Sequence, residues 1–240
     1  MNDTELLYLI IFGIIFFIIF SIWVYYYNKK QYEKTSYYEI TQVPYWIMLH
    51  DLGKNGEYKI YKTLKKYELN GAKFLFNLYI PTYNNKTTEI DVVMISQQGI
   101  FVFESKNYIG WIFGTETQRK WTQSLHAGYG FSKKEHFYNP IMQNEYHIKY
   151  LNKLLESKYP FYSIVVFSDN CEMKSITRKS NSETQLIYRC ELYRVIYNTI
   201  MNSNAILSNE NINEIYNKLY PYSQVDESIK VQHISNLKFN

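Results

Sequence analysis

The sequence predicts a mixed α/β domain joined to one N-terminal membrane-spanning helix, and three observations carry that expectation. Residues 6–27 form an uncharged apolar run. Behind it, segments of helical period alternate with short β-rich segments. Their order (helix, strands, helix, strand) suits a mixed sheet flanked by helices better than an all-α or all-β domain.

The apolar run, Leu6 to Tyr27, reads LLYLIIFGIIFFIIFSIWVYYY. As a helix it extends roughly 33 Å, enough to cross a bilayer core of about 30 Å. Trp23, Tyr25, Tyr26 and Tyr27 sit at its C-terminal end, where amphipathic rings favour the membrane interface. A cleaved signal peptide would start basic and end in a small-residue site after a shorter core. Here Asp3 and Glu5 precede the run and no such site follows. Lys29, Lys30 and Lys34 lie just after it and no Lys or Arg precedes it, so the positive-inside rule puts the C-terminal side in the cytoplasm of a single-pass protein of the cell membrane.

The 240-residue chain is 46% hydrophobic and 20% charged, which excludes a largely disordered protein. Its 26 tyrosines accompany abundant Asn, Ile and Lys and are read as compositional bias. The net charge is +4, and because Asp3 and Glu5 offset Lys29 and Lys30, the part behind the anchor carries the same excess. That permits a polyanionic partner without demanding one. Cys171 and Cys190 form no CxxC, the five histidines show no zinc spacing, and two lone thiols suit a reducing compartment.

Residues 28–50 read as a juxtamembrane connector. A helix is expected from Lys54 to about Leu69, with Glu57, Ile60, Tyr61, Leu64 and Tyr67 on one stripe. Strands are expected at Lys73–Ile80, Glu89–Ile95, Ile100–Lys106, Trp111–Thr115 and Arg119–Gln123, then a loop over 126–138. Asn139-Pro140 supplies an N-cap and a first-turn proline for a helix to about Ser157. Ser163–Phe167 and Gln185–Arg189 suit buried strands. Helices near Glu191–Met201 and Asn209–Tyr220, the latter capped by Ser208, close an α/β extension over 171–221. Residues 222–240 read as a loose tail.

The chemistry concentrates in EIDVVMISQQGIFVFESKN, Glu89 to Asn107. Two β-rich runs flank Ser96-Gln97-Gln98-Gly99, a hairpin turn. In that register residues whose numbers sum to 195 face each other, so Asp91 opposes Glu104 and Glu89 opposes Lys106. Glu104 and Lys106 share a face, while Phe101, Phe103 and Ser105 point the other way. Two close carboxylates repel unless a cation sits between them, and Mg²⁺ on oxygen ligands is the usual answer. Such an ion polarises a phosphate oxygen and lowers the pKa of a bound water. Lys106 would position or deprotonate that water, or stabilise developing negative charge. Glu57, an acid on an apolar stripe just after Gly53 and Gly56, supports a metal site. Blander readings stand beside this one: a Glu89–Lys106 cross-strand ion pair, Asp91 as a strand-edge polar residue, and Glu57 as a first-turn acid favoured by the helix dipole.

Asp91 followed by Glu104-Ser105-Lys106 resembles the D…(D/E)xK motif of the restriction-endonuclease-like superfamily. More narrowly, the chain resembles the nuclease-related domain (NERD) family. The resemblance is carried by Gly53-x-x-Gly56-Glu57, Glu89-Ile90-Asp91-Val92-Val93, Gly99 to Asn107, Gly110, Trp121-x-Gln123 and Asn139-Pro140-x-x-Gln143. It covers about residues 50 to 170, so the nuclease-like domain is set at 51–170. It implies a restriction-endonuclease-like mixed β-sheet flanked by helices. It also implies Mg²⁺ or Mn²⁺ on Glu57, Asp91 and Glu104, Lys106 as catalytic lysine, and Gln143 reaching the site from the second helix. Ser105 departs from the apolar residue or Thr more usual there, and alternation points it away from the site. Trp121 reads as a core or edge aromatic, Lys133, Lys134 and His136 as a solvated loop, and His147 as a helix-surface histidine.

The expected activity is therefore metal-dependent hydrolysis of DNA or RNA at the cytoplasmic membrane face, with low sequence specificity. The rival is a non-enzymatic membrane-tethered module that uses the same fold to bind nucleic acid or a protein.

Overall fold

A computed structural model describes residues 2–83, 86–126, 128, 131–156 and 159–238. The first helix, α1 (Asp3–Tyr32), is capped by Asn2, whose side chain accepts from the Glu5 N–H. Its apolar side chains are exposed on every side until Tyr32, and the helix is long and apolar enough to cross a membrane.

The segment expected to be a connector is instead folded onto the domain. Tyr32 is buried, and its hydroxyl donates to the Val43 carbonyl at 2.7 Å. Two short helices follow, α2 (Ser36–Thr41) and α3 (Tyr45–His50), and they place Tyr37, Ile40 and Met48 in the core. The Tyr32 ring packs on Tyr37, Tyr38, Tyr45 and Tyr58 at 5.0–6.2 Å between centroids. Many tyrosines read as compositional bias thus form one cluster that packs α1 against the domain.

Asp51 caps α4 (Leu52–Leu64), which runs into a 3-10 turn at Lys65–Asn70. The stripe Glu57, Ile60, Tyr61, Leu64 and Tyr67 is buried as its spacing predicts. The main sheet has the order β1-β2-β3-β7-β9: β1 (Lys73–Pro81), β2 (Thr87–Ser96), β3 (Gly99–Lys106), β7 (Phe161–Phe167) and β9 (Gln185–Tyr188). The first three are antiparallel, and β3-β7-β9 are parallel. A second sheet has the order β6-β5-β4-β8, built from β4 (Gly110–Thr115), β5 (Lys120–His126), β6 (Ser132–Tyr138) and β8 (Cys171–Thr177). The parallel pair β3/β7 continues across 107–109 and 168–170 into the parallel pair β4/β8, tied by Ser168 N–H to Lys106 O at 3.0 Å. Lys106 therefore sits where the chain leaves one sheet for the other.

Strand β6 replaces most of the loop expected over 126–138, and β8 forms where the sequence pattern indicates no particular element. Their sequences, SKKEHFY and CEMKSIT, are charged and mostly exposed because they form the two edges of the second sheet. Pairing with β5 and β4 makes them strands, and no apolar alternation announces them. The expected loop residues Ala127, Tyr129 and Gly130, and the helix end at Ser157, lie outside the described residues. The segment expected as a loose tail forms α8 (Glu227–Lys238). Its His233 is buried against Thr87 and packs edge-on to Tyr79.

Helix α5 (Pro140–Leu155) starts as the Asn-Pro pair predicts. Asn139 accepts from the Ile141 and Met142 N–H groups, while its amide donates to the carbonyls of Thr115, Glu116 and Gln118. The cap thus also nails the helix to the β4–β5 turn. One turn on, Asn144 donates to Val102 O at 3.0 Å and to Ser163 Oγ at 2.9 Å. Helices α6 (Leu192–Met201) and α7 (Asn209–Ser223, capped by Ser208) complete the domain.

Strand β3 is held between α4 and α5. On the α4 side, a Cβ built on Gly56 would stand 2.5 Å from Ser105 Oγ and 3.2 Å from Asn107 Cβ, whereas one on Gly53 meets only the Asp51 carboxylate at 3.2 Å. Gly56, not Gly53, is the position of close approach. Gly56→Ala should cost about 1–3 kcal/mol by overpacking, and Gly53→Ala should stay within about 1 kcal/mol of the parent. Thermal unfolding of the two variants side by side checks this; equal melting temperatures would refute it.

Candidate functional site

The hairpin register follows the sum of 195 from Ser96↔Gly99 to Val92↔Phe103, across a two-residue turn at Gln97-Gln98. There the β2–β3 ladder stops. Instead of a backbone partner for Ser105, the Asp91 carboxylate Oδ2 accepts its N–H at 2.8 Å. On its other side Asp91 falls opposite Asn77, which also drops out of the β1–β2 ladder. Asn77 has φ of +51°, a left-handed conformation that Asn tolerates better than most residues. Asp91 thus occupies a break in both neighbouring ladders, which frees its carboxylate for local contacts.

Glu104, one of the most deeply buried acids, is 1% exposed. Its Oε1 lies 2.7 Å from Lys106 Nζ and its Oε2 lies 3.0 Å from His147 Nε2. Burial would raise its pKa, but Lys106 and His147 together hold it below the ordinary carboxylate value. Lys106 also donates to Gln143 Oε1 at 3.1 Å, so the expected reach of Gln143 from α5 is present. Burial would favour a neutral lysine, but Glu104, Tyr108 and Asp91 override it and raise the Lys106 pKa. The ammonium form of Lys106 is therefore favoured in this arrangement.

His147, expected on the helix surface, is 2% exposed. It bridges Glu104 and Thr88, with Nδ1 2.8 Å from Thr88 Oγ1. With Nε2 donating to the carboxylate, Nδ1 is left to pair with the Thr88 hydroxyl. One available signal was its place three residues after Asn144 and four after Gln143, on the α5 face that meets β3.

Glu57 lies on α4 and is 4% exposed. It accepts from Lys54 Nζ at 3.0 Å and from the Tyr37 hydroxyl at 3.0 Å, and Lys54 also donates to Asn77 at 2.6 Å. Burial outweighs Lys54 and raises the Glu57 pKa, with Glu89 adding to the rise. The cross-strand pair Glu89–Lys106 does not form: Glu89 takes the Tyr79 hydroxyl at 2.9 Å, and Lys106 takes Glu104.

Asp91 lies between the two buried acids. Its pKa is raised well above the ordinary value, first by burial and then by the charges of Glu104 and Glu57, which Lys106 and the Ser105 N–H only partly offset. The donor chemistry of Glu57, Asp91 and Glu104 (oxygen throughout) fits a hard divalent cation, and a cation here would relieve the strain on Asp91. In this arrangement, however, no three His, Cys, Asp or Glu side chains among the described residues are gathered closely enough to hold an ion. Glu104 is turned toward α5 by His147, and Glu57 is held on the α4 side by Lys54 and Tyr37.

The aromatic Trp121 is fully buried in the second core cluster, stacked on Phe167, as expected of a core residue. Lys133, Lys134 and His136 lie on β6, not in a loop, and are exposed.

The family model described as "Nuclease-related domain" matches residues 52–168. An uncharacterized protein of Bacillus anthracis is 32% identical over 195 residues, covering 81% of this chain and 85% of the relative.

The strain on Asp91 makes a prediction about stability. A carboxyl whose pKa is raised in the folded state stabilises the fold fully below its unfolded value and loses that contribution as pH rises through the folded value. At neutral pH, without divalent metal, Asp91→Asn should therefore raise the melting temperature, because the amide keeps the Ser105 hydrogen bond without the charge. The gain should disappear near pH 4, where the unfolded carboxyl takes up its proton. A variant less stable than the parent at neutral pH would contradict the assignment.

Proposed function

The chain belongs to the nuclease-related domain family, and from that premise we propose that it is a membrane-anchored, metal-dependent nuclease acting on DNA or RNA. The observation that carries the proposal is the Asp91–Glu104–Lys106 cluster. Two neighbouring carboxylates, one strained by the other, sit beside an enclosed ammonium at a strand end. A fold has no structural need for that arrangement, and perturbed, clustered ionisable groups favour a functional site.

When bound by Asp91 and Glu104, with Glu57 approaching from α4, Mg²⁺ or Mn²⁺ would polarise the scissile phosphate and acidify a water. The other groups act as follows. Lys106, held by Glu104 and Gln143, presents a fixed positive charge to the negative charge that develops on the phosphoryl oxygens. His147 and Thr88 fix the Glu104 carboxylate in one orientation. Helix α1 anchors the domain to the membrane, and Lys29, Lys30 and Lys34 favour its cytoplasmic side. The modest charge of +4 suits a substrate held through its backbone with low sequence specificity.

A second reading has one observation in its favour. Glu104 is already paired with Lys106 and hydrogen-bonded to His147, and Glu57 is paired with Lys54, as a retained binding module would have them. Metal-dependent activity separates the two readings. The full chain in detergent micelles should cleave nucleic acid only with Mg²⁺ or Mn²⁺. Lys106→Ala should lower turnover about a hundredfold or more while retaining nucleic acid. Glu104→Ala should lose cleavage and also the rise in melting temperature that millimolar metal produces in the parent. If the parent binds nucleic acid, cleaves no form of it, and Lys106→Ala changes only affinity, the module reading stands.

Topology is tested separately. A reporter active only in the cytoplasm, fused after Asn240, should be active. Activity of an exported reporter at that position would remove the cytoplasmic nuclease.

A further inference from the structure

We propose that the α3–α4 corner is a second membrane-contact surface, so that the domain lies against the bilayer with the Lys106 end of β3 close to the headgroups. This rests on the reading of α1 as a membrane anchor. The proposal starts from an aromatic contact. Tyr25, inside the uncharged run of α1, packs on Tyr45, the first residue of α3, with ring centroids 5.4 Å apart. A residue of the folded domain therefore stands at the depth of the tyrosines that mark the end of the span, where amphipathic rings belong.

The next residue, Trp46, is 59% exposed, and Leu49, three positions on and on the same helical face, is 41% exposed. Leu52, just beyond, is 70% exposed. Met48 faces the core instead, so α3 has one face for the domain and one apolar face without a protein partner. Such a patch signals contact with something apolar. The aqueous phase is a poor match for Trp, whereas the bilayer interface is its preferred location. The bilayer is also the partner that α1 brings there. Tyr32 is buried in the tyrosine cluster and α1 runs unbroken into it, so no free linker lets the domain turn this face away. Lys29, Lys30 and Lys34, at the end of α1 and just beyond it, suit anionic headgroups, with Lys29 also paired to Glu33 at 3.5 Å. Of the acids of this corner, Asp51 is engaged in capping α4 through the Lys54 N–H at 2.8 Å and Glu57 is buried.

The consequence reaches the candidate site. Asn107, which follows Lys106, donates to the Leu52 carbonyl at 2.8 Å. The six residues of α3 rise only about 9 Å, so the Lys106 end of β3 stands within a short chain distance of the interface. A substrate would have to reach the site along the membrane surface.

The test is nitroxide accessibility in the full chain, reconstituted into phosphatidylcholine/phosphatidylglycerol vesicles. The exposed Cys190 is first removed as Cys190→Ser, while Cys171 is buried. Single labels are placed through Trp46→Cys, Leu52→Cys, Phe16→Cys in the span, and Ile206→Cys. Ile206 is exposed and bonded to Gln97 at the far end of β3. The expected result is that labels at positions 46 and 52 collide with oxygen in preference to a water-soluble nickel complex. Their ratio should lie between those of positions 16 and 206. If 46 and 52 behave like 206 while 16 is lipid-embedded, the proposal is overturned and the anchor stands. If 16 also behaves like 206, the anchor reading fails and the proposal with it. Low collision with both reagents at 46 and 52 would mean a protein partner or second copy on this face, and also overturns the proposal. As a check without labels, Trp46 in a Trp23→Phe chain should be quenched by brominated lipid, and Trp46→Phe should remove most of that quenching. No difference between the two chains overturns the proposal.

Discussion

The site depends on one buried charge. Glu104 is 1% exposed, at the point where β3 leaves the main sheet, and a carboxylate enclosed there without partners would cost several kcal/mol. Its two oxygens are satisfied from different directions, by Lys106 two residues on in the same strand and by His147 from α5. The first partner comes with strand alternation. The second requires α5 to lie at one height and rotation on the sheet. The Asn139 cap on the β4–β5 turn and the Asn144 bonds to Val102 and Ser163 meet that requirement. The second sheet, which supplies the β4–β5 turn, is therefore part of the apparatus that positions the charge.

Much of this was legible in the sequence, because it rests on local rules. The turn at Ser96–Gly99 sets the register, and alternation then puts Glu104 and Lys106 on one face. Asn139-Pro140 announces its own helix. Other features depend on tertiary contacts that local patterns do not encode. Strands β6 and β8 are edge strands with exposed side chains, so nothing apolar marks them. The opposition of Asp91 and Glu104 is likewise altered, because a left-handed Asn77 and the Ser105 N–H draw Asp91 out of the ladder. The burial of His147 against Glu104 is not legible, since a lone histidine on a helix gives no sign of which acid it will meet.

The tyrosines teach the opposite lesson. Discounting them as composition loses the segment Tyr32–Tyr58, where rings close over one another and tie α1 to the domain. Tyr37 extends that cluster to the site, because its hydroxyl donates to Glu57. The apolar helix α1 and the buried Glu57 are therefore joined through one packed aromatic group. Motion of α1 relative to the domain would have to break that packing.

The three acids differ in how fully the protein satisfies them, and the difference is informative. Glu104 has two cationic or donating partners and a lowered pKa. Glu57 has Lys54 and Tyr37, yet burial still raises its pKa. Asp91 has a single backbone N–H and faces the charge of both others, so it carries most of the unrelieved repulsion. Selection for stability alone would remove such a group, since an amide would keep the hydrogen bond without the charge. Strain of this kind persists where a bound cation or a reaction uses it. Asp91, the acid with the fewest partners of the three, is thus the position at which a divalent cation would gain most and around which the neighbouring acids would have to regroup.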